Sequence, residues 1–247
     1  MKRVLLSIIS LGTVLFVFAE LAMGLNKVLA AKKEIMPIFQ SSDSAVSGEA
    51  ETSTAGLLLP VEVTLPYGVD GTSLIAEKIV SYDGPFLEDG TNHEVVNVMG
   101  LLLRNAGDVG IERAEIVLTG DRQRFIFEAD IIPPGATVLV LEKNRTFYGC
   151  KNFSSCSGWQ ITDNCGWSNW GLDIEETGMG TLEVTNQTGR KIQQARLHYK
   201  TYLEGILVGG ITHVYTIESL QPGESILISP ARYAKGYSRI IRVELKN

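Results

Sequence analysis

LEVTNQTGRKIQQARLHY, residues 182–199, repeats in outline LLLRNAGDVGIERAEIVL, residues 101–118. At an offset of 81 positions Leu101 meets Leu182, Leu103 meets Val184, Asn105 meets Asn186, Ile111 meets Ile192, Ala114 meets Ala195 and Ile116 meets Leu197. Within each run the apolar matches keep one parity, as a strand with one buried face requires. Further on, IIPPGATVLV (131–140) answers SLQPGESILI (219–228) at an offset of 88, so the second repeat carries the longer central hairpin.

Each matched element has a local reading. Asn followed by Gly ends a strand, because Asn tolerates left-handed backbone and Gly adopts it without penalty. Pro-Gly turns the chain before the next strand. The runs LIAEKIVSY (74–82), EVVNVMGLLLRN (94–105), AEIVL (114–118), RFIFEA (124–129) and TVLVLE (137–142) are short, rich in β-branched residues and divided by Gly, Asp and Pro. TLEVTN (181–186), QARLHYKTYL (194–203), THVYTIESL (212–220), SILISP (225–230) and SRIIRVEL (238–245) form the second set. This is strand punctuation, and it predicts an all-β fold of two tandem antiparallel β-sandwich units.

The chain of 247 residues, 45% hydrophobic and 20% charged, is long enough for one or two cores. A net charge of −6 with no Lys/Arg cluster in the body argues against nucleic acid as a partner. Met1-Lys2-Arg3 precedes VLLSIISLGTVLFVFA (4–19), and the apolar character runs on to Leu25, interrupted only by Glu20. The run reads as a transmembrane helix or a signal peptide, with Val17-Phe18-Ala19 offering a cleavage pattern and the anchor favoured. Either reading exports the rest of the chain. SSDSAVSGEAETSTAG (41–56) reads as a flexible spacer. The sequence therefore divides into an anchor or signal peptide (1–31), a flexible linker (32–73), a first β-sandwich domain (74–148), a Cys/Trp-rich connector (149–180) and a second β-sandwich domain (181–247). Separate units on either side of that connector are expected.

LEVTNQTGRKIQQARLHY, continued to SLQPGESILIS, resembles the small immunoglobulin-like domains of bacterial envelope proteins of the FxLYD type, over residues 181–230 and more loosely over 99–142. Leu197-His198-Tyr199-Lys200 stands where that family carries its naming motif. IVLTG…IIPPGATVLVLEK is also similar to lamin-tail-like sandwiches. These resemblances imply an immunoglobulin-like fold and extracytoplasmic display, and they bring no catalytic residue.

YGCKNFSSCSGWQITDNCGWSNWG (148–171) holds all three cysteines, Cys150, Cys156 and Cys165, and all three tryptophans, Trp159, Trp167 and Trp170. In an exported chain two of the three cysteines are expected to form a disulfide, with Cys156–Cys165 and Cys150–Cys165 both open. A zinc site would need a fourth ligand and tighter spacing. A Cys/His pair with His93, His198 or His213 has no local signature. The indoles either form an exposed platform for a protein or glycan partner or fold back to plug the seam between the units; the second is favoured.

SYDGPFLEDGTNHE (81–94) gathers Asp83, Glu88, Asp89 and Glu94 without the alternating ligands of a calcium loop, and reads as a solvated turn. Glu112, Glu115, Glu128 and Asp130 read as solvent-facing, and His198 and His213 as ordinary surface or partly buried residues. Sequons begin at Asn144, Asn152 and Asn186 and carry no meaning in a bacterium. The P-loop, dinucleotide fingerprint, G-x-S-x-G and H-E-x-x-H patterns do not occur. The expectation is thus a non-enzymatic, single-pass cell-membrane protein without a cofactor, its β-sandwiches extracytoplasmic, acting in adhesion or envelope assembly through envelope or surface proteins. A surface or secreted carbohydrate-binding module using the three tryptophans is the alternative, and cleavage of the first segment would make the chain a secreted one.

Overall fold

A computed structural model describes residues 63–90, 93–150, 152–163, 171–203 and 205–246. The anchor or signal segment and the spacer, with Cys165, Trp167 and Trp170, lie outside the described residues. The described chain is all-β: β1 (Tyr67–Gly68), β2 (Leu74–Pro85), β3 (Glu94–Asn105), β4 (Gly110–Gly120), β5 (Gln123–Ile132), β6 (Thr137–Leu141), β7 (Ser155–Asp163), β8 (Leu172–Gly178), β9 (Thr181–Asn186), β10 (Gln194–Leu203), β11 (Ile206–Ile217), β12 (Ser225–Ile228) and β13 (Ser238–Lys246). They form a seven-stranded sheet, β1-β2-β3-β6-β11-β10-β13, and two three-stranded sheets, β5-β4-β7 and β12-β9-β8.

The sequence repeat is a repeat of strand pairing. β2-β3-β6 with β5-β4-β7 in the first repeat corresponds to β8-β9-β12 with β11-β10-β13 in the second. The registers correspond as well: Leu103 faces Val138 as Val184 faces Ile226, and Ile116 faces Phe127 as Leu197 faces Tyr215. Alternation supplies the inner faces. Along β5, Phe125, Phe127 and Ala129 are buried while Arg124, Ile126 and Glu128 point the other way.

Asn105 and Asn186 earn their place in the repeat differently from the expected left-handed turn. Neither has a positive φ, and both are fully buried, at 0% and 1% exposure. The Asn186 amide Nδ2 donates to the carbonyls of Arg190, Leu220 and Gln221 at 2.8, 3.0 and 3.1 Å, and its Oδ1 accepts from the Thr188 N–H and hydroxyl. Asn105 Nδ2 donates to Val109, Ile132 and Pro133 at 2.8, 3.3 and 3.3 Å, and its Oδ1 accepts from the Gly107 N–H and the Ser73 hydroxyl. The three carbonyls and the N–H donor stand at the same offsets, 81 and 88, as the sequence matches, while the hydroxyl donors differ, Ser73 in one repeat and Thr188 in the other. In each repeat one carboxamide therefore ties the end of a strand to the turn that follows it and to the residues before the Pro-Gly turn, satisfying carbonyls that are costly to leave unpaired.

The separate units expected from the sequence are instead joined. β6 pairs in parallel with β11 through Thr137↔Ile206, Val138↔Leu207 and Leu139↔Val208. The joining residues are the extra length of the second repeat's hairpin: where β4 and β5 turn at Asp121-Arg122, β10 and β11 run on through Thr201↔Val208, Tyr202↔Leu207 and Leu203↔Ile206. Leu207 and Ile241 complete the first repeat's core around Leu101, Ile116, Phe125, Phe127 and Val140. On the opposite face Leu203, Ile206 and Val208 pack with Val80, Tyr82, Leu102, Leu139 and Leu141. The second repeat closes its own core around Leu182, Val184, Leu197, Tyr199 and Val243.

The connector is likewise divided between the repeats, β7 pairing with β4 and β8 with β9. Residues 63–73, read as linker, belong to the fold: Val63 and Val69 are buried in the first core and β1 pairs with β2.

Candidate functional site

The most unusual chemistry lies where the repeats meet. Opposite the step from Tyr199↔His213 to Thr201↔Val208, β11 bulges through residues 209–212, and Lys200 faces the bulge. Lys200 is 1% exposed. Its ammonium donates all three protons to backbone, to the carbonyls of Gly209, Gly210 and Ile211 at 3.0, 2.7 and 2.8 Å. Glu88, from the turn between β2 and β3, bridges the same gap: its Oε1 accepts from the Leu141 N–H at 2.7 Å and its Oε2 from the Gly210 N–H at 2.6 Å. The carboxylate thus continues the β6–β11 junction past the end of their pairing. Gly210 is required here, since a Cβ would stand 2.0 Å from the Glu128 carbonyl oxygen.

Burial raises the Glu88 carboxyl pKa, against the Leu141 and Gly210 N–H donors and Lys200, and lowers that of Lys200, against the attraction of Glu88. Every proton of the ammonium and both carboxylate oxygens are committed to backbone partners. The two side chains therefore hold the backbone together where the repeats meet, and Glu88 also lines the cavity described next.

A cavity of about 300 Å³ opens above this pair, lined by Phe86, Asp89, Arg113, Glu128, Asp130 and Lys143 among others. Its charged side chains stand in pairs of opposite sign: Lys143 with Glu128 at 2.6 Å, Arg113 with Asp130 at 4.0 Å, and Arg145 with Asp89. Within the stretch expected to be a solvated turn, 81–94, Asp89, His93 and Glu94 are exposed as expected, whereas Phe86 and Leu87 are buried as a plug and Glu88 reaches across the seam. Asp83 accepts from the Asn97 N–H at 2.7 Å, and Glu94 sits on exposed β3 backbone. Of the carboxylates read as solvent-facing, Glu128 and Asp130 line the cavity, while Glu112 is exposed and Glu115 faces Trp159 across the β4–β7 pair. Nothing in the sequence marks Lys200 or Glu88 locally, because their meeting depends on two hairpins 112 positions apart.

Cys150 and Cys156 are buried free thiols, and no disulfide forms among the described residues. Burial pushes each thiol up to about 11, with Asp121 beside Cys150 and Asp70 beside Cys156 adding to it. Both therefore stay protonated at neutral pH, the opposite of a nucleophilic or metal-binding cysteine. Cys165, the third member of the expected set, lies outside the described residues.

Trp159 does not plug the seam. It stands on the outer face of β7, 43% exposed, with Ile161 beside it at 49%. β7 is an edge strand without a charge from Ser155 to Thr162. Trp167 and Trp170 are outside the described residues, so Trp159 alone can be placed on this face.

The histidines are spread apart. His93 is exposed. His198 is buried on β10 with Nε2 3.2 Å from Glu244 Oε1, in a cluster where Arg242 bonds both Glu244, at 2.6 Å, and Asp163 of β7, at 3.0 Å. Burial lowers its pKa and Glu244 opposes that. With Thr212 Oγ1 donating to the Asp130 carbonyl, this cluster docks the ends of β5 and β7 onto the outer face of β10, β11 and β13. His213 stacks on Tyr199, ring centroids 5.5 Å apart. Among the described residues no cluster of His, Cys, Asp and Glu is arranged to hold a metal ion. Asn186, the third sequon asparagine, is committed to the tie described above and closed to modification in the folded chain.

Comparison with known proteins adds no relative: no protein-family model, curated protein or solved structure matches the chain.

Proposed function

We propose that the chain is a non-enzymatic, membrane-anchored, extracytoplasmic surface protein. Its two tandem immunoglobulin-like β-sandwich units act in adhesion or envelope assembly through protein contacts. The observation that carries this reading is the seam. The groups with the greatest chemical potential, Lys200 and Glu88, are spent on backbone hydrogen bonds that fix one repeat to the next, which is what a rigid display scaffold needs. The uncharged edge strand with Trp159 and Ile161 outward supplies an apolar contact surface of the kind used at protein interfaces. The apolar segment at residues 4–25 supplies the anchor and residues 41–56 the spacer.

The test is photo-crosslinking from position 159 on intact cells expressing the full chain, with the N-terminus read by mass spectrometry from the same sample. The expected result is a retained N-terminal segment and a discrete set of envelope partners lost in Trp159→Ala. Cleavage of that segment with no crosslinked partner would overturn the reading. The half-exposed Trp159 ring also favours a second one, a carbohydrate-binding module, for which indole fluorescence should change on titration with cell-wall glycans in the wild type and not in Trp159→Ala.

A further inference from the structure

Among the described residues β7 is the one long sheet edge that carries no protection. Edge strands are ordinarily blunted by charge, proline or shortness, because a row of open N–H and C=O groups recruits another strand. β13 carries Arg239, Arg242, Glu244 and Lys246, β8 carries Asp173, Glu175 and Glu176, and β5 carries Arg124, Glu128 and Asp130. β1 has two residues and β12 four. β7 runs for nine, Ser155–Asp163, with no proline and no charge before Asp163.

What reaches this edge is the start of the described chain. The Val63 N–H donates to the Phe153 carbonyl at 2.7 Å in an antiparallel bridge, while the Ser154 N–H, on the opposite side of the same peptide group, donates to the Thr119 carbonyl of β4 at 2.7 Å. Val63 therefore lies on the side away from β4, and the antiparallel sense sends the residues before it along β7. Exposure alternates strictly after it: Val63, Leu65, Tyr67 and Val69 pack in or against the first core, and Thr64, Pro66, Gly68 and Asp70 are exposed. Carried back along the sequence, that parity assigns Leu57, Leu59 and Val61 to the core side and Leu58, Pro60 and Glu62 to the outside. The same parity orders the backbone. Because the Val63 N–H points at the neighbouring strand, those of Leu57, Leu59 and Val61 point there too, and Pro60 falls where its missing N–H would point away.

We propose that residues 57–62 of this chain add to β7 as a fourth, antiparallel strand of the β5-β4-β7 sheet. Matching core-side residues fixes the register. The inward positions pass from Phe153 to Cys156, which calls for a bulge at Ser154-Ser155, and beyond it Val61 stands opposite Cys156, Leu59 opposite Gly158 and Leu57 opposite Gln160. Pro60 then lies on the new outer edge and bars a further strand. Leu58 stands opposite Trp159 on the outer face, widening the apolar surface that the folded body presents. A strand already attached at Val63 has the advantage over a strand from a second copy or a partner, which must be brought from solution. The spacer at residues 41–56 then leads directly into the sheet.

Hydrogen exchange of the full chain in detergent micelles, resolved residue by residue by NMR, tests the proposal. The amides of Leu57, Leu59 and Val61 are expected to exchange about a hundredfold or more slower than those of Leu58 and Glu62. Leu59→Pro removes an N–H aimed at β7, and it should erase that protection and speed exchange at Cys156, Gly158 and Gln160. Leu58→Pro, whose lost N–H points outward, should leave both unchanged. Fast exchange throughout 57–62, protection without alternation, or equal loss in the two proline variants overturns the proposal. So does protection of Cys156, Gly158 and Gln160 that grows with protein concentration while 57–62 exchange fast, which would put a second copy on the edge. Crosslinking from position 159 stands or falls separately, because it reads the outer face of β7 and not its edge.

Discussion

Lys200→Met is expected to destabilise the protein by about 2–4 kcal/mol, the cost of leaving three backbone carbonyls without their shared charged donor. Met fills much of the same volume and supplies no donor. The carbonyls of Gly209, Gly210 and Ile211 lose their shared partner, and Glu88 loses the nearby positive charge that favours its ionised form. Urea denaturation of variant and wild type reads the difference, and a change below about 1 kcal/mol, the scale of a surface pair, would refute the structural role assigned to Lys200. The pH dependence has a definite sign. Lys200 is held below its ordinary value of 10.5, at about 8, so between these values the unfolded chain binds the extra proton and wild-type stability rises with pH. Lys200→Met should lack that rise. Glu88, lifted from 4.5 to about 7, works the other way: its contribution is fully present below 4.5 and is lost as pH rises through about 7.

Asn186→Asp should be as damaging as Asn186→Ala or worse, at about 2–4 kcal/mol, although Asp keeps the shape of Asn. A carboxylate has no proton for the carbonyls of Arg190, Leu220 and Gln221, and it would place negative charge against three oxygens. Asn105→Asp should behave alike through Val109, Ile132 and Pro133. Thermal unfolding of both variants checks this. If either Asp variant matched the wild type, the carboxamide ties would not be what the repeat preserves.

Much of this fold is legible in the sequence because strand signals are local. Alternating apolar residues bounded by Gly, Asp and Pro mark ten of the strands, and the offset of 81 superimposes strands that share both topology and register. The change of offset from 81 to 88 carries more information than a longer hairpin alone implies. The inserted residues around Leu203, Ile206, Leu207 and Val208 place an apolar face where a hairpin tip would normally be polar, and that face is what β6 and the first core receive. Joining depends on a parallel contact between strands far apart in sequence, which no local pattern encodes.

The candidate sites read less well for the same reason. Trp159 lies in a run whose burial alternates, and whether its ring faced the seam or the solvent was set by the pairing of β7 with β4. The Phe86-Leu87-Glu88 plug resembles any acidic Gly-containing turn until β11 is placed against it. Asn105 and Asn186 are visible as repeated residues, but their three carbonyl partners come from two other turns, so the sequence suggests a backbone reason where the operative one is the side chain.

Fusion of the two repeats into one cooperative body is the central claim, and native-state hydrogen exchange of the full chain, read by mass spectrometry at increasing urea, tests it most directly. Peptides covering β3, β6, β9 and β11 are predicted to exchange through a single global opening with one common free energy. Exchange of residues 181–203 in a separate, lower-energy opening while residues 94–141 stay protected would contradict it, and would return the protein to two units on a connector.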